Sequence, residues 1–243
     1  MQHLVQKKFF MKFKINPKIF EDFDKPLIGV IIATGINNQN DHPQIQKLLR
    51  EAEVTLREKL NNVEISLHPH IAPWRETYRK FGSKPRDFRC SAEALTRVVL
   101  RGSEIKKISP LVDLYNLISI KYILPVGAED LDKMQGDLEL TFANGDEDYT
   151  PLGEQENDPP QKGEVIYRDD FGVICRRWNW REGDRTKITK TTKNAVVVLE
   201  SVASIPIKEA VEKLAELIKK YCGGQISIYY LDHNSPEVDI ILV

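Results

Sequence analysis

NAVVVLESVASIPIKEAVEKLAELIKKYCGGQISIYYLD, residues 194–232, reads as strand, helix, strand. NAVVVLES is a β-branched run with the character of a buried strand. Ile207, Ala210, Val211, Leu214, Leu217, Ile218 and Tyr221 fall at helical spacing, and Gly223-Gly224 stops the helix. QISIYYLD and VDIILV follow as two strands joined by a turn at HNSPE. Upstream, LIGVIIATGI (27–36) predicts another buried strand. Pro43 then opens an amphipathic helix that Asn61-Asn62 ends. VEISLH (63–68) has strand-like alternation, and residues 74–89 form a short helix and a loop broken at Gly82 and Pro85. Ser91 caps a helix running to Arg101, and Ser109-Pro110 starts the next. LELTFA (138–143), VIYRD (165–169) and GVICRRWNW (172–180) are further strands. Helices and strands mix without regular alternation or a long linker. The expectation is α+β, a single domain over residues 1–243 with a mixed β-sheet and packed helices.

The 243 residues are 41% hydrophobic and 29% charged, a globular balance. Lys plus Arg is 35 against 36 Asp plus Glu, which excludes a uniformly basic nucleic-acid coat but not a local patch. Cys90, Cys175 and Cys222 are odd in number and far apart, so a reducing, cytoplasmic setting is expected. No apolar run suits a membrane span, and the first residues lack a signal peptide's apolar core. Met11 is a candidate start, with residues 1–10 a strand or an extension.

Charge is uneven. Eleven acids and one Lys lie between Glu129 and Asp158. Between Cys175 and Lys193 stand Arg176, Arg177, Arg181, Arg185, Lys187, Lys190 and Lys193 against two acids, with Trp178 and Trp180 among them. Trp74, Arg75, Tyr78, Arg79, Lys80, Phe81, Lys84, Arg86 and Arg89 make a second basic and aromatic cluster. Bases of this kind neutralise phosphates, and aromatic faces stack nucleobases. The competing reading is a solvated face paired with the acidic segment.

Two segments carry a family resemblance. PLVDLYNLISIKYILPVGAEDLDKM (110–134) and CRRWNWREGDRTKITKTTKNAVVVLES (175–201) resemble the B3/B4 domain of the bacterial-type phenylalanyl-tRNA synthetase β subunit, which edits misacylated tRNA. Leu111–Asn116 matches N-x-V-V-D-V-T-N-Y, and Leu124–Met134 matches Q-P-L-H-A-F-D-L-D-K-L. Glu182-Gly183-Asp184-Arg185-Thr186 falls in register with the family's G-G-E-x-S turn. The family's pocket His falls on Gly127, the Phe two residues later on Glu129, and the turn Glu on Asp184. The resemblance implies a B3/B4-like fold and an aminoacyl-tRNA editing hydrolase acting in trans, without aminoacylation motifs.

Hydrolysing an aminoacyl ester requires a placed water and support for the developing oxyanion. Asp184 and Glu129 are the carboxylates expected to orient that water. Asn116, Tyr115, Gly127, Trp178, Asn179 and Thr186 are expected to line the substrate pocket. Arg176, Arg177, Arg181, Arg185, Lys187, Trp180, Arg75 and Arg79 are expected to contact RNA. The implied partners are tRNA or aminoacyl-tRNA, and a synthetase on which the domain could dock. Two alternatives use the same residues: a non-catalytic RNA-binding module, and a hydrolase of a free amino-acid ester or amide. No cofactor is expected. LIGVIIATGI offers only Gly29 and Gly35, too few for a nucleotide fingerprint, and His68 and His70 lack an evident third metal ligand.

Overall fold

The computed structural model describes residues 9–242; residues 1–8, most of the anticipated extension, lie outside them. Along the chain come β1 (Phe9–Ile15), α1 (Pro17–Asp22), β2 (Leu27–Thr34), α2 (Pro43–Lys59), α3 (Ala72–Lys80), α4 (Ser91–Leu100) and α5 (Pro110–Tyr122). Then follow β3 (Val126–Asp130), β4 (Leu138–Phe142), β5 (Val165–Arg168), β6 (Val173–Arg176), β7 (Arg181–Glu182) and β8 (Ala195–Ser201). α6 (Lys208–Cys222), β9 (Gln225–Leu231) and β10 (Glu237–Leu242) close it.

The class is α+β, and the strands divide into two sheets. One is six-stranded in the order β10-β1-β4-β5-β6-β7, mixed because β1 and β4 run parallel. The other is four-stranded and antiparallel, β3-β8-β2-β9. The last two strands therefore separate: β9 joins β2 while β10 crosses to β1, so HNSPE does not close a hairpin.

Helices cover one face of the four-stranded sheet. α6 packs on β2 and β9, α5 on α6 and β3, and α2 on α5. Gly29 permits the close approach, since a Cβ there would stand 2.3 Å from Val211 Cγ2. The aligned trio Gly29, Leu199 and Val126 shares that helix-facing side. Its neighbours Val30, Val198 and Gly127 face the other way, because strand side chains alternate. One hydrophobic cluster runs from Met11 to Ile240 through both sheets.

Three local expectations are corrected. VEISLH is not a strand: Ile65–Leu67 is a single 3₁₀ turn, capped by the Glu64 side chain accepting from the Ser66 N–H. Only Ile65 is buried, while Val63 and Leu67 face solvent, so the alternation has no sheet to meet. Ser91 does not cap α4; Cys90 holds that position, and the Ser91 hydroxyl has no partner among the described residues. GVICRRWNW is broken after Arg176, for a reason that belongs to the site.

A carboxyl-lined recess between the sheets

Arg177 and Trp178 have φ values of 47° and 66°, the left-handed region that non-glycine residues rarely adopt. Two in succession turn the chain sharply and drive Trp178 into the core. Its ring meets Trp74 edge-on at 5.3 Å and Phe23 at 5.1 Å. Its Nε1–H donates to Glu200 Oε1 on β8 at 2.9 Å. Glu200 Oε1 also accepts from the Tyr167 hydroxyl, and Oε2 accepts from Asn179 Nδ2 at 2.7 Å. The Tyr78 hydroxyl in turn donates to Asn179 Oδ1 at 2.9 Å. Glu200 thus ties both sheets and α3 to the turn. Burial raises its pKa to about 7 against these three donors.

This hub forms one wall of a recess between the two sheets. β3 and β8 contribute Gly127, Glu129, Val196, Val198 and Glu200, and the larger sheet contributes Leu138, Tyr167, Cys175 and Glu182. Trp178, Asn179 and Ser91 add to the lining. The cavity volume of the recess is about 30 Å³. That is room for one or two waters.

Glu129 and Glu182 face one another across this space within hydrogen-bond reach. Burial is the first cause raising the Glu129 pKa, and the Glu182 charge adds to it. Burial also raises Glu182. Two enclosed carboxyls this close hold a proton between them. Among the described residues Glu129 Oε2 and Glu182 Oε2 are enclosed without a hydrogen-bond partner, and the Thr186 hydroxyl lies against Glu129. Burial and the charges of Glu182 and Glu129 raise the Tyr115 phenol, which places that side chain beside the pair.

Of the residues expected from sequence, Glu129, Gly127, Trp178 and Asn179 line the recess, and Thr186 and Tyr115 adjoin the carboxyl pair. Asn116 and Asp184 do not line it. Asp184 turns outward: Oδ1 accepts from Lys187 Nζ at 2.7 Å and from the Gly153 N–H at 2.9 Å. The Lys187 hydrogen bond holds its carboxyl below the usual range. Sequence reasoning missed Glu182. A Cβ at Gly127 would stand 2.6 Å from Glu182 Oε1, so this carboxyl occupies the space a side chain at 127 would need. The signal was the reciprocal exchange itself: a glycine where the family resemblance places His, and Glu182 where it places glycine.

Much of the basic run, expected to contact RNA, is engaged in internal pairs. Arg176 is buried in a two-pronged bond to Glu164, both contacts 2.9 Å, and reaches Asp158 at 2.6 Å. Arg177 is buried, with its guanidinium 3.7 Å from the Phe88 ring centre and 4.8 Å from that of Trp180. Arg181 pairs with Glu154 and Arg185 with Asp169, at 2.7 and 2.6 Å. Trp180 packs edge-on against Phe88. In the second cluster Arg75 pairs with buried Glu93, and Arg79 pairs with Glu76. An open cleft of about 400 Å³ remains there, lined by Arg75, Arg79, Gly82, Ser83, Lys84, Pro85 and Arg86. Lys84 and Arg86 are exposed, and neither has a carboxylate partner among the described residues.

Cys175 is buried, and burial first, then Glu182, Glu129 and Glu200, raises its thiol pKa and disfavours the thiolate. Among the described residues no three His, Cys, Asp or Glu side chains are grouped to hold a metal. Among those residues also, no helix is long and apolar enough to cross a membrane.

The chain is 37% identical over 70 residues to the phenylalanine–tRNA ligase beta subunit of Shewanella oneidensis, a match covering 29% of this chain and 9% of that protein. A crystal structure of an N-terminal fragment of the phenylalanyl-tRNA synthetase beta subunit from Pyrococcus horikoshii aligns over 88% of this chain and 49% of its own. Its identity is 14% and its TM-score 0.42. The chain therefore spans only a small part of the curated relative it matches. The profile described as the B3/4 domain matches residues 73–223. That stretch runs from α3 through α6 and supplies every residue lining the recess, so the chain belongs to the B3/4 domain family.

Proposed function

We propose that this protein binds tRNA and hydrolyses the ester of a mischarged amino acid in trans, with the aminoacyl end seated over the carboxyl-lined recess. The observation that carries this reading is the convergence on one recess of the two segments resembling the family's site, with polar atoms there left unpartnered. Family membership and the synthetase-subunit relative support tRNA as the partner.

The chemistry is modest. Water adds to the ester carbonyl, the carbon–oxygen bond to the terminal ribose breaks, and the departing oxygen takes the proton that the water gives up. The ribose's neighbouring hydroxyl can pass that proton. The Ser91 hydroxyl, which lines the recess without a partner among the described residues, can donate to the carbonyl oxygen as charge develops. A deacylation screen across mischarged tRNAs tests this. We expect at least one aminoacyl-tRNA to be hydrolysed well above its spontaneous rate. Because Asp184 faces Lys187 rather than the recess, Asp184→Asn should lower that rate less than about tenfold, below the 10²–10⁴-fold span of a true acid–base group. Binding of tRNA without any deacylation would leave the non-catalytic module instead.

For the RNA surface we propose the cleft at Lys84 and Arg86. The double variant Lys84→Glu/Arg86→Glu should weaken tRNA binding and reduce its log–log salt slope by roughly 1.4–1.8, about 0.7–0.9 for each lost phosphate contact. An unchanged slope in filter binding at graded salt would remove this cleft from the interface.

A further inference from the structure

We propose that the floor of the recess is a receptor for a primary ammonium group carried on a slender aliphatic chain, so that cationic side chains enter and aromatic rings do not. The inference rests on the ligand-site reading above and narrows it to a substrate class.

Three observations lead there. The first is the number of unmet acceptors. Among the described residues Glu129 Oε2 and Glu182 Oε2 are enclosed without a partner, and the Thr186 hydroxyl, which lies against Glu129, keeps lone pairs free to accept. Glu129 is 7% exposed and Thr186 is 1% exposed, so bulk water does not satisfy them. A primary ammonium carries three N–H donors and no acceptor, the complement of such a set. A hydroxyl has only one donor, and a quaternary ammonium has none.

The second is charge. Among the described residues three glutamates line the recess, and no Lys or Arg does. Glu200 is already engaged by Tyr167, Trp178 and Asn179, which leaves Glu129 and Glu182 to meet a ligand. The other groups bearing on the pair are Tyr115 on α5, Cys175 on β6 and Arg185 beyond β7. Arg185 is held by two bonds to Asp169, at 2.9 and 2.6 Å, so it does not fill the floor. Val196, Val198 and Leu138 keep the surroundings apolar. In such surroundings an unpaired carboxylate is costly, and a matched cation is held well.

The third is size. The interior of about 30 Å³ admits a head the size of a water molecule and excludes a ring. Without a ligand the carboxyl pair keeps a proton. An incoming ammonium takes the proton's place between the two oxygens, and the proton leaves to solvent.

The test is titration calorimetry of the full chain with n-butylammonium, 1-butanol and tetramethylammonium, in two buffers of different ionisation enthalpy. n-Butylammonium should bind at least about tenfold more tightly than either control, the range expected for a hydrogen bond to a charged group. Its heat should depend on the buffer, reporting proton release. Glu182→Gln should reduce the n-butylammonium affinity by about tenfold or more. Equal affinity for the three probes, or no binding of n-butylammonium, overturns the proposal. These probes contain no RNA, so their failure leaves the deacylation screen to decide the editing reading, and failure of that screen leaves ammonium binding standing.

Discussion

Glu200→Ala is expected to destabilise the protein by roughly 3–6 kcal/mol, because it leaves three buried donors without an acceptor at about 1–3 kcal/mol each, only partly relieved by water. The donors are the Tyr167 hydroxyl, the Trp178 indole N–H and the Asn179 amide. Trp178 is the most exposed to the loss. Its left-handed backbone persists only because the surrounding packing and this bond hold it. Against a typical total stability of ~5–15 kcal/mol, a loss of this size lowers the urea midpoint severely. Glu200→Gln should lose less. Its amide oxygen still accepts from Tyr167 and Trp178, and the Asn179 amide can turn over to accept from the new N–H.

The charge of Glu200 adds a signed pH effect. Its pKa is about 7 in the fold against an ordinary value of 4.5. Between these values the folded state holds a proton that the unfolded state has released, so stability falls as pH rises through that window. The span corresponds to roughly 3.5 kcal/mol at most, at about 1.4 kcal/mol per unit. Glu200→Gln should flatten this decline. A Glu200→Ala variant within about 1 kcal/mol of the parent would show that water already reaches these donors.

Elements with strong periodicity were legible. The spacing of Ile207, Val211, Leu214 and Ile218 marks α6, and the β-branched runs mark β2 and β8, because burial against a neighbour repeats along each element. What short-range pattern could not carry was which sheet each strand joins. QISIYYLD and VDIILV look like a hairpin pair, yet their partners are β2 and β1, at the far end of the chain. Trp178, expected in the substrate pocket, is fully buried against the recess, and its neighbour Arg176, expected to contact RNA, is paired with Glu164. The acid that neutralises this arginine lies twelve positions upstream, outside any local window. The carboxyl pair was half visible. Glu129 stands out as a departure from an apolar family position, whereas Glu182 is one acid in a charged turn until the sheets bring it against Gly127.

The double variant Glu129→Gln/Glu182→Gln is expected to move function and stability in opposite directions. Both carboxyls are held above their ordinary range, Glu129 by burial and then by the Glu182 charge, and Glu182 by burial. Groups shifted this way contribute stability that is fully present below the unfolded pKa and is lost as pH rises through the folded one. At pH 8 the fold must therefore either retain a proton the solvent does not favour or confine two like charges between apolar walls. Replacing the pair by neutral amides of the same shape removes that penalty, and we expect a gain of roughly 1–3 kcal/mol at pH 8 that shrinks toward pH 4. The same change removes both charged acceptors from the recess floor. At about 1.5–3 kcal/mol for each hydrogen bond to a charged group, the kcat/KM for deacylating a preferred aminoacyl-tRNA should fall by roughly 10²-fold or more. Affinity for uncharged tRNA should persist, because the Lys84 and Arg86 cleft is untouched. A variant that gains stability and keeps its activity would identify the pair as a relic of packing. One that loses both would show that a shared proton between Glu129 and Glu182 holds β3 to β7, and that the recess is built for structure rather than for a ligand.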